Sequence, residues 1–157
     1  MATGKSTRPS KIISGGQTGV DRAALDAAIE LGIPHGGWCP AGRRSEDGRI
    51  PDRYQLAETD STEYRVRTER NLLDSDGTLI VCRGKLRGGT KLTRRFASRH
   101  DKPCFVVDLQ ESPEPEMVRQ WIRECKIATL NIAGPRESQQ PGIAEEARQF
   151  IAAVLTV

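Results

Sequence analysis

The chain has 157 residues, near the modal size of one domain, and its 36% apolar content with fifteen glycines is that of a folded rather than a disordered protein. The 24 Lys and Arg against 21 Asp and Glu leave a net charge of +3, part of it in the first ten residues, so no bulk nucleic-acid footprint is indicated. No run approaches the roughly 18 apolar residues of a membrane span, and the first ten residues lack the apolar core of a signal peptide; a soluble cytoplasmic protein without membrane association is expected.

Residues 1–10 read as a polar, disordered tail, and 11–157 as a single domain. A short β-rich run, Lys11 to Ser14, ends at Gly15-Gly16. Then Val20, Ala23, Ala24, Ala27, Ala28 and Leu31 fall at helical spacing, a helix whose alanine stripe lets it lie close to a sheet. Asp21 or Thr18 can cap its start, and Gly32 with Pro34 stops it. From Pro34 to Pro51 breakers dominate, with a short strand possible around Gly36 to Cys39 in a long loop, ordered or not. A helix is predicted over Thr62 to Leu73, a buried strand over Thr78 to Cys82, and a helix from about Thr90 to His100. A strand follows at Cys104 to Asp108, a helix at Pro113 to Cys125 with proline at its start, and a strand at Ala128 to Ala133. A last helix carries Ile143, Ala147, Phe150, Ile151 and Val154 on one face. Short apolar runs alternating with helices predict an α/β fold: a Rossmann-like three-layer α/β/α domain with a mainly parallel sheet and right-handed crossovers.

In such sheets ligands bind beyond the carboxyl ends of the strands, where this chain places three glycine-rich loops. The first, Gly15, Gly16, Gln17, Thr18 and Gly19, joins a strand to a helix N-terminus, whose free amides and partial positive charge suit a phosphate. Its spacing is neither G-x-G-x-x-G nor G-x-x-x-x-G-K-[ST], and Arg43 and Arg44 stand where a dinucleotide fold places its ribose acid, which disfavours NAD. The bland reading is a tight turn capped by Asp21. The second loop runs into Gly88, Gly89 and Thr90. Seven Lys or Arg and no carboxylate lie between Gly77 and His100, a local field that also fits a solvated basic helix face. The third, Asn131 to Gly142, offers Gly134, Arg136, Glu137 and Ser138 as a flexible turn with donors.

Between these loops, Arg43 and Arg44 can grip a phosphate or a planar ring, and Glu46 or Asp47 can accept from ring N–H groups, although such charges commonly pair with each other. Arg67 and Asn71 lie one turn apart on the next helix and can face the crevice. His35 and His100 are isolated, and no G-x-S-x-G occurs. Cys39 is the one thiol with a chance of access, and the four scattered cysteines suggest neither disulfides nor zinc. No catalytic constellation and no protein-held metal can be assembled.

The blocks GGQTGVDRAALDAA, CPAGRRSEDG, SDGTLI, RGGT and NIAGPRES, with Y.L.ET and R.RTE.N between them, occur in order over nearly all of residues 11–155. In this the chain resembles the family known as putative molybdenum carriers, a branch of the Rossmann-like SLOG group that includes the lonely-guy phosphoribohydrolases. The resemblance implies a homo-oligomer, dimer or tetramer, that binds a phosphorylated small molecule, nominally the molybdenum cofactor (molybdopterin). A molybdoenzyme or a cofactor-synthesis protein would be its partner. It places phosphate contacts on Gly15, Gly16, Thr18 and Gly19 and on Gly88, Gly89 and Thr90. The phosphoribohydrolases carry GGxGTxxE after their second glycine loop, whereas this chain reads GGTKLTRR, lacking that glycine and the Glu. Binding or carriage is therefore expected rather than catalysis. The alternatives are a nucleotide-processing enzyme using Glu46, Asp47 or Glu69, and a nucleotide sensor.

Overall fold

Lys11–Ile13 forms β1, and the alanine-striped helix α1 (Val20–Glu30) follows it with Ala23, Ala24, Ala27 and Ala28 buried. The computed structural model describes residues 8–156. Of the expected tail, residues 1–7 lie outside the described residues; Pro9 is buried, and the Ser10 amide donates to Ala128 O at 2.8 Å.

The breaker-rich region after α1 is ordered by very short pairings: β2 (His35–Gly36), β3 (Trp38–Cys39), β4 (Arg44–Ser45), β5 (Gly48–Arg49) and β6 (Ala57–Glu58). Strand β3 pairs with β6, and β4 with β5 in a hairpin. The strand expected over Gly36 to Cys39 is thus split between two sheets. Five longer elements with strong periodicity come next: α2 (Tyr64–Leu73), β7 (Gly77–Cys82), α3 (Gly88–Arg99), β8 (Cys104–Asp108) and α4 (Pro115–Glu124). The last unit is β9 (Thr129–Ala133) followed by α5 (Ile143–Leu155). Helix α3 begins two residues before its expected start, taking both glycines into its first turn.

The central sheet has the order β2-β1-β9-β7-β8, and every pairing in it is parallel. Numbering its strands cyclically from β9 converts this to 3-2-1-4-5, the doubly wound order, so the chain is a Rossmann-like fold cut open between its first two strands. The point where strand order reverses lies between β9 and β7. All six residues of β7 are buried, as a central parallel strand covered on both faces requires.

On one face α1, α4 and α5 pack on the sheet through Val20, Val118, Ile122, Ile143, Ile151 and Leu155. On the other, Leu72 of α2 meets Phe96 and Ala97 of α3. A third cluster, Leu25, Cys39, Ile50 and Tyr54 with Leu56, fixes the 34–63 region against α1. Cys39 is fully buried, and burial pushes its thiol pKa up, so the expected accessible cysteine is a core residue. Among the described residues no helix is long and apolar enough to cross a membrane.

Candidate functional site

The ends of β1 and β9 meet α2 and the first turn of α3 around a cavity of about 100 Å³ beside the reversal point. A groove of about 380 Å³ continues from it along Arg83 to Arg87 and reaches Pro135 and Gln140; the two share Thr90 and Gln139. Eight of the residues expected from sequence line the cavity: Gly15, Gln17, Arg67, Asn71, Gly89, Thr90, Gly134 and Arg136. The glycine-rich loops after β1, β7 and β9 therefore converge, although their helix ends are not equivalent.

The N-terminus of α1 is closed by the protein itself. Gly19 stands at its N-cap with φ 81°, and a Cβ there would lie 2.3 Å from Pro135 O. Only glycine permits that approach, which lets Pro135 O accept from the Val20 amide at 3.2 Å. The Thr18 amide donates to Gln17 Oε1 at 3.1 Å, and the Gln17 amide to Asp21 Oδ2 at 3.2 Å. Asp21 thus caps backwards into the loop rather than capping the helix end. Gly16 is turned from the cavity, since a Cβ on it would meet Leu56 Cδ1 at 2.7 Å and Ile50 Cδ1 at 3.0 Å. The N-terminus of α5 is occupied too: the Glu137 carboxylate accepts from Gly142 N at 2.6 Å and Ala144 N at 3.0 Å.

Helix α3 differs. Its N-cap is Arg87, no side chain caps it, and no acid sits in its first turn. A Cβ added to Gly89 would meet nothing within 4 Å, so the first turn opens directly on the cavity. Gly88 points toward Gln139 and lies just outside.

Basic side chains face this open helix end. The buried Arg67 guanidinium donates to Gly15 O at 2.8 Å, and Arg44, Arg67 and Arg136 surround the Tyr64 ring at 4.7, 5.2 and 5.2 Å. Burial lowers the pKa of Arg67, with the charge of Arg136 adding to the effect and that of Asp21 opposing it. Two guanidiniums on one wall of a cavity favour an anion between them.

Arg43 does not join them. It is 9% exposed and donates to Tyr54 O at 2.7 Å, Pro51 O at 2.8 Å and Ile50 O at 3.1 Å. Its guanidinium organises the loop over residues 50–56 instead of gripping a ligand. Arg44 bonds Thr62 O at 3.0 Å and reaches the site only through Tyr64.

The carboxylates named for an enzymatic reading lie off the cavity lining and are engaged. Glu46 accepts from the hydroxyls of Ser138 and Thr18; burial works against its ionisation, but these bonds and nearby Arg136 outweigh it and hold the pKa below the usual range. Glu46 thereby ties Thr18 to the loop after β9. Asp47 is clamped by Arg22 at 2.7 and 2.8 Å and its pKa is driven far down, chiefly by those bonds. Glu69 pairs with His100 at 2.9 Å.

The carboxyl that does line the cavity is Asp21, 6% exposed, its pKa raised by burial against the opposing pull of Arg67. Beside it, Gln17 Nε2 is buried with no hydrogen-bond partner. Asn131 lines the same wall and donates to Thr78 Oγ1 at 3.2 Å. Sequence reasoning missed Asp21 as a cavity group; its signal was an acid in the first turn of a helix, on the same face as the apolar Ala24 and Leu25 one turn on. Among the described residues no three His, Cys, Asp or Glu side chains come together as a metal would need.

Residues 12–155 match the model of the circularly permutated YpsA SLOG family, in keeping with the permuted strand order. The crystal structure of a protein named as a putative molybdenum carrier from Syntrophus aciditrophicus superposes with a TM-score of 0.90 at 47% identity, covering 96% of each chain. No curated protein matches. The chain belongs to the circularly permuted YpsA branch of the SLOG family.

Proposed function

We propose that this protein binds a phosphorylated heterocycle, the molybdenum cofactor or a compound of similar shape, and carries it unchanged. The observation that supports this most directly is the open first turn of α3, with Gly89 and Thr90 facing Arg67 and Arg136 across one cavity while α1 and α5 are closed by their own chain. A phosphate fits there, taking the Gly89 amide and the two guanidiniums, while the Thr90 amide stays on Arg87 O at 3.1 Å. The Gln17 side-chain amide, buried without a partner on the same cavity wall, offers a donor to the part of the compound inside, and the adjoining groove leaves room for what extends beyond. Molybdenum, where present, is cargo held by the compound's own sulfurs.

The structural relative's name as a molybdenum carrier favours that cargo among phosphorylated heterocycles. Assembly as a dimer or tetramer, and delivery to a molybdoenzyme or to cofactor synthesis, belong to the same reading. Purification under anaerobic, reducing conditions followed by mass spectrometry should recover a phosphorylated pterin or a related ring. The Arg136→Ala variant should retain about tenfold less of it, the loss of one charge-assisted contact. Recovery of no phosphorylated heterocycle, together with no calorimetric binding of one, would sink the proposal.

A further inference from the structure

We infer that Asp21 reads the ring of the bound compound, its carboxylate accepting the adjacent N–H and amino hydrogens of a 2-amino-4-oxo heterocycle, the edge shared by pterins and guanine. This rests on the phosphorylated-heterocycle reading and adds to it the class of ring. Asp21 lines the cavity from the first turn of α1, and the hydrogen bond it takes from the Gln17 amide falls on Oδ2, at 3.2 Å. Ser14 lies next to it, but the Ser14 hydroxyl hydrogen is committed to Ile132 O at 2.6 Å. Arg67, on the facing helix, spends two of its nitrogens on Gly15 O and Thr68 Oγ1, and Arg22, on α1 itself, is clamped to Asp47.

A carboxyl buried with so few donors is costly, and burial shifts its pKa upward accordingly. A ring N–H and an amino hydrogen arriving together would supply what the fold withholds. Gln17 completes the pattern. Its Oε1 accepts from the Thr18 and Glu46 amides, which orients the side-chain amide and leaves Nε2 as a buried donor without a partner. A carboxylate acceptor beside an amide donor is the complement of an amino, N–H and carbonyl edge read in that order. Adenine presents a bare ring nitrogen where the carboxylate needs a hydrogen, so it fits poorly.

Isothermal calorimetry of the full chain with GMP, IMP, AMP and inorganic phosphate tests this. GMP and IMP differ by the 2-amino group alone, and GMP should bind about tenfold tighter, with AMP weaker than either. Inorganic phosphate should compete with all three. In Asp21→Asn, nearly isosteric and checked for folding by its melting curve, the GMP to IMP ratio should fall to about one. Equal binding of the three nucleotides with phosphate competition overturns the role of Asp21 and leaves the phosphate reading standing. A GMP preference that persists in a folded Asp21→Asn also overturns it. Binding of none of the four compounds overturns both readings. The wild-type comparison needs no variant, so a variant that fails to fold does not remove the test.

Discussion

Replacing Arg43 by methionine separates two roles for this residue, ligand grip and loop scaffold, that the sequence left open. Methionine keeps most of the apolar stem and the backbone, whose φ of 53° is already left-handed, and deletes only the guanidinium. Three carbonyls, of Tyr54, Pro51 and Ile50, then lose donors at 2.7, 2.8 and 3.1 Å, and Leu56 O loses a fourth at 3.4 Å, too long to add much. The loop is near enough to the surface for water to recover part of the loss, so about 1 kcal/mol per bond is the working value, or about 3 kcal/mol in all. For a domain of this size that is a fall in Tm of about 6 to 12 °C. Thermal unfolding by circular dichroism reads the change, and calorimetry well below the transition reads affinity for a phosphorylated ligand. Affinity should stay within about twofold, whereas a lost guanidinium-phosphate contact would cost about tenfold or more. An unshifted Tm, or a folded variant with tenfold weaker binding, refutes the scaffold assignment.

Asp21 supplies a pH-dependent test. Its pKa rises above the ordinary 3.8 on folding, so between 3.8 and the raised value the unfolded chain loses this proton before the folded one does. Stability is fully present below 3.8 and drains away as pH climbs through that window. Asp21→Asn should therefore raise Tm at neutral pH, with the gain shrinking toward pH 4; a gain that ignores pH counts against a buried, reluctant acid. Gly19→Ala forces a Cβ to 2.3 Å from Pro135 O at a φ of 81° and breaks the bond from Val20 N. Strain and the lost bond together predict about 2 to 4 kcal/mol of destabilisation in denaturant titration, and a loss under 1 kcal/mol would mean that the two loops are not locked as described.

The helices and long strands were legible because each is decided locally. Alanines at helical spacing place α1, the continuous apolar run places β7, and a proline marks the start of α4, although at Pro115 rather than at the expected Pro113. The 34–63 region had no such signal, because its two-residue strands are held by partners far along the chain. Asn71 bonds Trp38 N at 2.7 Å and Trp38 O at 2.9 Å, and Arg43 and Arg44 reach backbone 7 to 18 residues away. Strand order was hidden for a related reason: alternating strands and helices read the same in a permuted and an unpermuted chain. Only pairing across the sheet shows that β9 occupies the place of a first strand.

The same distinction explains how the site narrowed. Three glycine-rich loops before three helices look alike in sequence, and each suggests an anion on its helix N-terminus. What distinguishes them is whether the chain supplies its own oxygen there. Pro135 O arrives at α1 from 115 residues away, and Glu137 turns back five to seven residues to occupy α5. Neither event leaves a periodic trace. The helix that receives no such oxygen, α3, is also the one whose first turn carries no acid and faces Arg67 and Arg136. A negative ligand therefore has one open helix end to meet at this crevice. Because α1 and α5 are already satisfied, substitutions in their loops should act on affinity through the position of Arg136 and Gln17 rather than through lost phosphate contacts of their own.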